Sequence, residues 1–319
     1  MIKRKVIIDC DTGTDDAVAI IGALGSKEID VQALTTVNGN VDLEYTSKNT
    51  LDLVDALGIK VPVAKGAKGP LYRDIKQLRL TEEKDITLYS HGAKGFGNVV
   101  LSPSQRPFSS KNAIETIHDY AVYDGGDLEL IVTGPMTNVA LALEIYPELK
   151  QLIKHIYFMG GAMKGGNSTA VAEFNIFFDP EAAYTVLHSG IPLTEVGLDV
   201  TEKAILTDED IDSIKSEENE AGRIAGKLLD FMRDRRDKGG EDVFMHDPLA
   251  VAAAVAPSVI QTTPYFVDVE LAGKYTYGHT YVQKNKRLSN EPVNCDVATS
   301  VNVRSFVHWL TSAINNYSN

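Results

Sequence analysis

Lys5-Val6-Ile7-Ile8-Asp9-Cys10-Asp11-Thr12-Gly13-Thr14-Asp15-Asp16 runs from an apolar, strand-like segment through a turn into the helix-forming Ala17-Val18-Ala19-Ile20-Ile21. A strand handed directly to a helix is the opening unit of an α/β fold. The same stretch holds four aspartates, Asp9, Asp11, Asp15 and Asp16, within eight positions. Carboxylates crowded at a half-buried strand end repel one another, so they need a cation, a retained proton or the free N–H groups of a helix terminus. Thr14 is the expected N-cap, and Asp15 and Asp16 in the first turn are favoured by the helix dipole alone, at ~0.3–1 kcal/mol each. That leaves Asp9 and Asp11 unexplained. Residues two apart share a strand face, and a turn at Gly13 folds Asp15 and Asp16 back toward them. A hard divalent cation satisfies such a cluster, and oxygen-only ligation favours Ca²⁺ or Mg²⁺ over zinc.

Further β-branched runs at residues 31–36, 61–64, 128–133, 155–159 and 193–197 alternate with helical patterns. The expected architecture is α/β, an open, mostly parallel, Rossmann-like sheet flanked by helices on both faces. Residues 263–282 read as a late β-hairpin covering a sheet edge, and residues 1–319 as one domain, because neither the Pro/Ser-rich 102–111 nor the polar 216–220 is long enough for a linker. In such sheets ligands bind beyond the carboxyl ends of the strands, so residues 9–16, 36–40, 133–138 and 159–161 are expected to converge. A formal charge of −13 argues against a nucleic-acid-binding face. Two cysteines, Cys10 and Cys295, lie too far apart in sequence to suggest a disulfide framework, which points to the cytoplasm. The basic Met1-Ile2-Lys3-Arg4-Lys5 precedes an apolar run broken by Asp9 and Asp11, so it reads as neither signal peptide nor membrane span.

Two later segments carry unusual chemistry. Gly165-Gly166-Asn167-Ser168-Thr169-Ala170-Val171-Ala172-Glu173-Phe174-Asn175 groups amides and a carboxylate suited to a polyhydroxylated ligand, with Phe174 as an apolar wall. Loop capping explains any one of these polar residues equally well. Met245-His246-Asp247-Pro248 precedes an apolar run at 249–256, so Asp247 reads as an N-cap with Pro248 at the first helical position, and His246 as a group titrating near neutrality. The charged 229–238 reads as a solvated helix face, unless an arginine reaches inward to a ligand.

Asp9 to Ala17, Thr35-Thr36-Val37-Asn38-Gly39-Asn40, Thr133-Gly134-Pro135-Met136-Thr137-Asn138, Met159-Gly160-Gly161, Ala172-Glu173-Phe174-Asn175 with Asp179-Pro180-Glu181-Ala182-Ala183, and His246-Asp247-Pro248 form an ordered set. In that order they resemble the blocks of the inosine-uridine preferring nucleoside hydrolases, over nearly the whole chain. The resemblance implies Ca²⁺-dependent hydrolysis of the N-glycosidic bond of ribonucleosides to ribose and free base. The substrate would be a small-molecule ribonucleoside, with neither nucleic acid nor membrane as partner, and the assembly a homodimer or homotetramer. It implies Ca²⁺ held by the carboxylates of Asp11, Asp16 and Asp247 and the backbone carbonyl of Thr133, with Asp247 also at the substrate. Asp11 would be general base toward a metal-bound water. Asp15 and Asn40 would hold ribose hydroxyls, Asn167, Glu173 and Asn175 the rest of the sugar, and Met159 and Phe174 would line the pocket, with Asp9 supporting from behind.

Such a reaction builds positive charge on the ribose ring, which an anionic site stabilises more in the transition state than in the substrate. The departing base needs a proton, and His246 and His91 are the candidate donors; His91 lies in Ser90-His91-Gly92-Ala93-Lys94-Gly95, which resembles the family's mobile loop. The chain departs from the family pattern at Thr12, where many members carry proline. Base preference is not legible, since the 229–238 region that approaches the base in the family is unusually charged here. Two other readings stand beside this one. Asp9-Cys10-Asp11-Thr12 also resembles the start of haloacid dehalogenase-like Mg²⁺-dependent phosphohydrolases, whose later motifs are missing, and a non-catalytic nucleoside-binding protein would need the same pocket.

Overall fold

A computed structural model of the chain describes residues 3–74, 90–284 and 291–317. Its strands are β1 (Arg4–Cys10), β2 (Ile29–Thr36), β3 (Val63–Lys65), β4 (Leu128–Val132), β5 (Ile153–Met159), β6 (Leu193–Val196), β7 (Ile260–Val269), β8 (Thr280–Gln283) and β9 (Cys295–Val301). They form one sheet in the order β3-β2-β1-β4-β5-β6-β9-β7-β8. All six strands expected from the β-branched runs are present, and every pairing from β3 through to β9 is parallel. The late hairpin also forms, with Val269 opposite Thr280 and Phe266 opposite Gln283. It does not lie over an edge as expected. Instead β7 pairs antiparallel with β9, which docks parallel against β6, so the hairpin extends the sheet and becomes its margin.

The chain lays β2 and β3 to one side of β1, then returns to place β4, β5 and β6 on the other. At that reversal, between β1 and β4, the outgoing loops diverge and leave a crevice, the general position of ligand sites in open α/β sheets. The aspartate stretch leaves β1 and the Thr133 loop leaves β4 at this point.

The helices are α1 (Thr14–Gly25), α2 (Leu43–Ala56), α3 (Ala113–Tyr123), α4 (Thr137–Ile145), α5 (Leu149–Leu152), α6 (Phe174–Phe178), α7 (Pro180–Leu187), α8 (Leu198–Thr201), α9 (Asp208–Lys215), α10 (Glu220–Asp237), α11 (His246–Val255) and α12 (Val303–Asn315). Side chains alternate along β1: Val6, Ile8 and Cys10 enter one core, shared with α1, α2 and α8 to α12, while Ile7 enters a second, shared with α3 to α7. The apolar run before residue 256 becomes α11, buried from Asp247 to Val255 and packed against α1, β4 and β5. A helix buried all round has no polar face to turn outward, so its first turn is carried into the crevice.

Candidate active site

Thr12 and Gly13 form the turn between β1 and α1. The Thr12 and Thr50 hydroxyls are hydrogen-bonded at 2.6 Å, which fastens this turn to α2 where a family proline would have stiffened it. The cap of α1 is Gly13, not Thr14: the Gly13 N–H donates to Asp16 Oδ2 at 2.9 Å, and Thr14 is the first helical residue. Asp9 stands behind the turn, accepting from the Thr35 hydroxyl at 2.6 Å and from Asn138 Nδ2 at 2.7 Å, so it ties β1 to β2 and α4. Burial pushes its carboxyl up to about 7 against these two bonds.

Asp11 is 1% exposed and accepts the Asn40 backbone N–H on Oδ2 at 2.6 Å. Its Oδ1 is buried with no protein partner among the described residues. Two glycines make room for this carboxylate: a Cβ on Gly39 would lie 2.1 Å from Oδ2, and one on Gly134 2.8 Å from Oδ1. Asp16 accepts from Gly13, from Asn40 Nδ2 at 3.0 Å and from the Thr133 hydroxyl at 2.8 Å. Carboxylate oxygens of Asp15, Asp16 and Asp247 all lie within 4.8 Å of one another, and all three residues are buried. Asp247 sits inside the first turn of α11, whose cap is Met245, and not at the cap itself; Pro248 is the third helical residue.

Burial first, then neighbouring carboxylates, raises the pKa of each carboxyl in this group. Asp11 lies well above the usual carboxylate range through burial and the Asp16 charge, and Asp247 likewise through burial and the Asp15 charge. Asp16 is pushed up to about 6 by burial and then by Asp15, opposed by the Gly13 N–H. Carboxylate oxygens of Asp16 and Asp247 lie within 4.8 Å of each other and of Asp15, so the three charges repel one another unless a proton or a cation stands between them. A cation would relieve that repulsion. The buried, unpartnered Oδ1 atoms of Asp11 and Asp15 add oxygen donors beside it, and this all-oxygen set fits a hard divalent ion.

Asp15, Asn40, Thr133, Met159, Asn167, Glu173, Phe174, Asn175, His91, His246 and Asp247 all line one cleft. Asp11 and Asp16 are buried and are not among its lining residues. Several lining residues also perform the capping work that was the alternative reading of their segment. Glu173 caps α6, accepting from the Asn175 and Ile176 N–H groups and from Gly161 at 3.1 Å, and burial still raises it to about 7. Asn167 Oδ1 accepts the Phe174 N–H at 2.8 Å. Asn175 Nδ2 donates to the Thr133 carbonyl at 2.7 Å and to the Met159 carbonyl at 3.1 Å, joining the sugar-type loop to the β4 and β5 ends.

Two histidines also line the cleft. The Thr14 N–H donates to His91 Nδ1 at 3.2 Å, so the neutral ring keeps its proton on Nε2. His246 Nδ1 is 2.8 Å from the Thr201 hydroxyl. Burial is the main reason both rings are less basic than usual, in opposition to the Asp15 charge. Residues 229–238 are not simply a solvated face. Met232 and Arg235 line the cleft, while Arg233 and Arg236 make surface ion pairs with Asp212, Asp230, Asp208 and Asp237. Met232, Arg235, Glu241 and Phe244 were not among the expected site residues. The spacing Ala225, Leu228, Met232, Arg235 follows one helix face, and that apolar stripe was the signal that Arg235 points inward.

Among the described residues no helix is long and apolar enough to cross a membrane. The family model described as inosine-uridine preferring nucleoside hydrolase matches residues 6–308. The chain is 38% identical over 321 residues to a pyrimidine-specific ribonucleoside hydrolase of Photobacterium profundum, covering 99% of this chain and 100% of that one. It is 36% identical over 313 residues to a non-specific ribonucleoside hydrolase of Klebsiella pneumoniae, covering 98% and 99%. Its fold is similar to that of a purine-preferring ribonucleoside hydrolase from Gardnerella vaginalis, with a TM-score of 0.90, 36% identity and 98% of each chain covered. With the carboxylate cluster and the cleft in the same place as the expected blocks, this chain belongs to the inosine-uridine preferring nucleoside hydrolase family and is a ribonucleoside hydrolase.

Proposed function

We propose that the protein hydrolyses the N-glycosidic bond of ribonucleosides in a Ca²⁺-dependent reaction, releasing ribose and a free base. The observation that carries this is the set of buried carboxylates of Asp15, Asp16 and Asp247 gathered within 4.8 Å at the floor of a cleft lined by Asn and Glu side chains. Asp11, Asp16 and Asp247, with the Thr133 carbonyl, would hold the ion. Bound there, Ca²⁺ supplies positive charge that eases deprotonation of water and fixes sugar hydroxyls. Asp11 takes the proton from the attacking water; its Oδ2 is anchored by Asn40, which leaves Oδ1 to act. Asp15 and Asn40 hold ribose hydroxyls, and Asn167, Glu173 and Asn175 grip the rest of the sugar. As the C1′–N bond breaks, positive charge develops on the ring, and the surrounding carboxylates stabilise it. His246 and His91, which line the same cleft, protonate the departing base, a contribution of roughly 10²–10⁴-fold.

The test is a panel of purine and pyrimidine ribonucleosides scored for reducing sugar, after chelation and then with Ca²⁺ restored. Ribose release that disappears with chelator and returns with Ca²⁺ supports the reading; restoration by Mg²⁺ or Zn²⁺ but not Ca²⁺ refutes the choice of ion. Nucleoside binding with no ribose released would make the protein a sensor.

A further inference from the structure

We propose that Arg235 is a positioning residue for His91: its guanidinium latches the 90–97 segment onto α10 and so sets the histidine over the cleft. The inference rests on the leaving-group role given to His91 above. Arg235 lies on the inward face of α10 with a side chain only 8% exposed. Its Nη1 donates to the Ser90 carbonyl at 3.0 Å, one residue from His91, and its Nη2 lies 3.7 Å from the Glu241 carboxylate. One turn earlier on the same helix face, the Phe231 ring packs on Gly97 so closely that a Cβ there would come within 2.8 Å of it. The segment is thus docked on α10 at both ends. From the other side, His91 Nδ1 takes the Thr14 N–H, and Asn49 Nδ2 donates to the Lys94 carbonyl at 2.7 Å and to the Thr12 carbonyl at 3.2 Å.

His91 is therefore held between α1 and α10, and each side fixes a different thing. Thr14 sets the tautomer; Arg235 sets the backbone from which the ring projects. A guanidinium suits this because its planar fork can bond a carbonyl and face a carboxylate together, whereas an ammonium concentrates its donors at one point. With Nη1 on the Ser90 carbonyl and Nη2 facing Glu241, the guanidinium reaches the base through His91.

The experiment compares kcat and KM for inosine or uridine with those for 4-nitrophenyl riboside, whose nitrophenolate departs without needing a proton. The proteins are Arg235→Met, Arg235→Lys, His91→Ala and the double variant Arg235→Met/His91→Ala, each with its melting temperature. In Arg235→Met, kcat on the nucleoside is expected to fall roughly 10- to 100-fold, as for a displaced catalytic group, while turnover of the nitrophenyl riboside falls far less. Arg235→Lys, which keeps a donor for the Ser90 carbonyl, recovers part of the loss and serves as the test if the methionine variant melts early. The double variant is expected to be no slower than His91→Ala alone, because both substitutions remove one function. Equal losses on both substrates would reduce Arg235 to a structural residue, and additive losses would mean that it meets the base directly; either overturns the proposal. Equal losses on both substrates in His91→Ala overturn the leaving-group role of His91 and this inference with it, an outcome recognisable from that single variant.

Discussion

Asp11 and Glu195 show how differently two buried carboxyl groups can be used. Asp11 keeps one buried oxygen unpartnered beside the carboxylate cluster, where chemistry is expected, and glycines at 39 and 134 give it space. Asp11→Asn should lower kcat by at least roughly 10²-fold, the contribution of a positioned base. The same substitution removes a charge repelled by Asp16, so the metal-free protein should melt no lower than wild type; a large fall in melting temperature would mean that Asp11 is needed for folding. Glu195, on β6, is fully buried, and neither of its oxygens has a protein partner among the described residues. Burial, then the Asp199 and Glu173 charges, pushes it from 4.5 up to about 8. The unfolded chain ionises this group near 4.5 and the folded chain near 8, so across that window the unfolded state gains and stability falls as pH rises. Glu195→Gln removes the penalty. It should raise the melting temperature relative to wild type at about pH 8 and give no such gain near pH 5, which a pair of melting curves would check.

α1 and α10 are helices whose local sequence was read well in one respect and poorly in another. For α1, the boundary was placed one residue off because Thr14 has the chemistry of a cap, yet the hydrogen bond that closes the first turn runs from the Gly13 backbone to Asp16. Its other end is decided by a neighbour remote in sequence. A Cβ on Gly25 would lie 2.1 Å from the Ala313 carbonyl oxygen of α12, and Asn316 Nδ2 donates to the Gly25 carbonyl at 2.9 Å. Gly25→Ala should force these helices apart and cost about 1–3 kcal/mol in a denaturant titration. For α10, charge density suggested a solvated face, while the apolar stripe along Ala225, Leu228 and Met232 carried Arg235 inward; periodicity outweighs composition when one face must be buried.

Taken over the entire chain, the carboxylate cluster is a local destabilisation that a bound cation would relieve. Asp11, Asp16 and Asp247 all hold their protons to higher pH than an exposed carboxylate does, so metal-free stability falls as pH rises above about 4. Ca²⁺ should therefore raise the melting temperature, and the gap between loaded and chelated protein should widen from about pH 5 to about pH 8. At a concentration of 100 times its dissociation constant the stabilisation would be about 2.7 kcal/mol. A gap that is absent, or that narrows with pH, would show that the cluster is satisfied by protons and not by a cation. The alternation of strands and helices, the six parallel strands and the crowding of the first aspartates were legible in the chain because each depends on residues adjacent in sequence, through side-chain period and turn chemistry; Thr133 and Asp247 were named as ligands only by the family resemblance. The insertion of β9 between β6 and the hairpin and the union of Asp247 with Asp15 and Asp16 were not legible. The meeting of Asp247 with Asp15 and Asp16 depends on the reversal of strand order at β1 and on burial of α11, which bring together groups more than two hundred residues apart, and the pairing of β9 with β6 joins Thr194 to Asp296 across the chain; distance along the sequence carries no signal for either meeting.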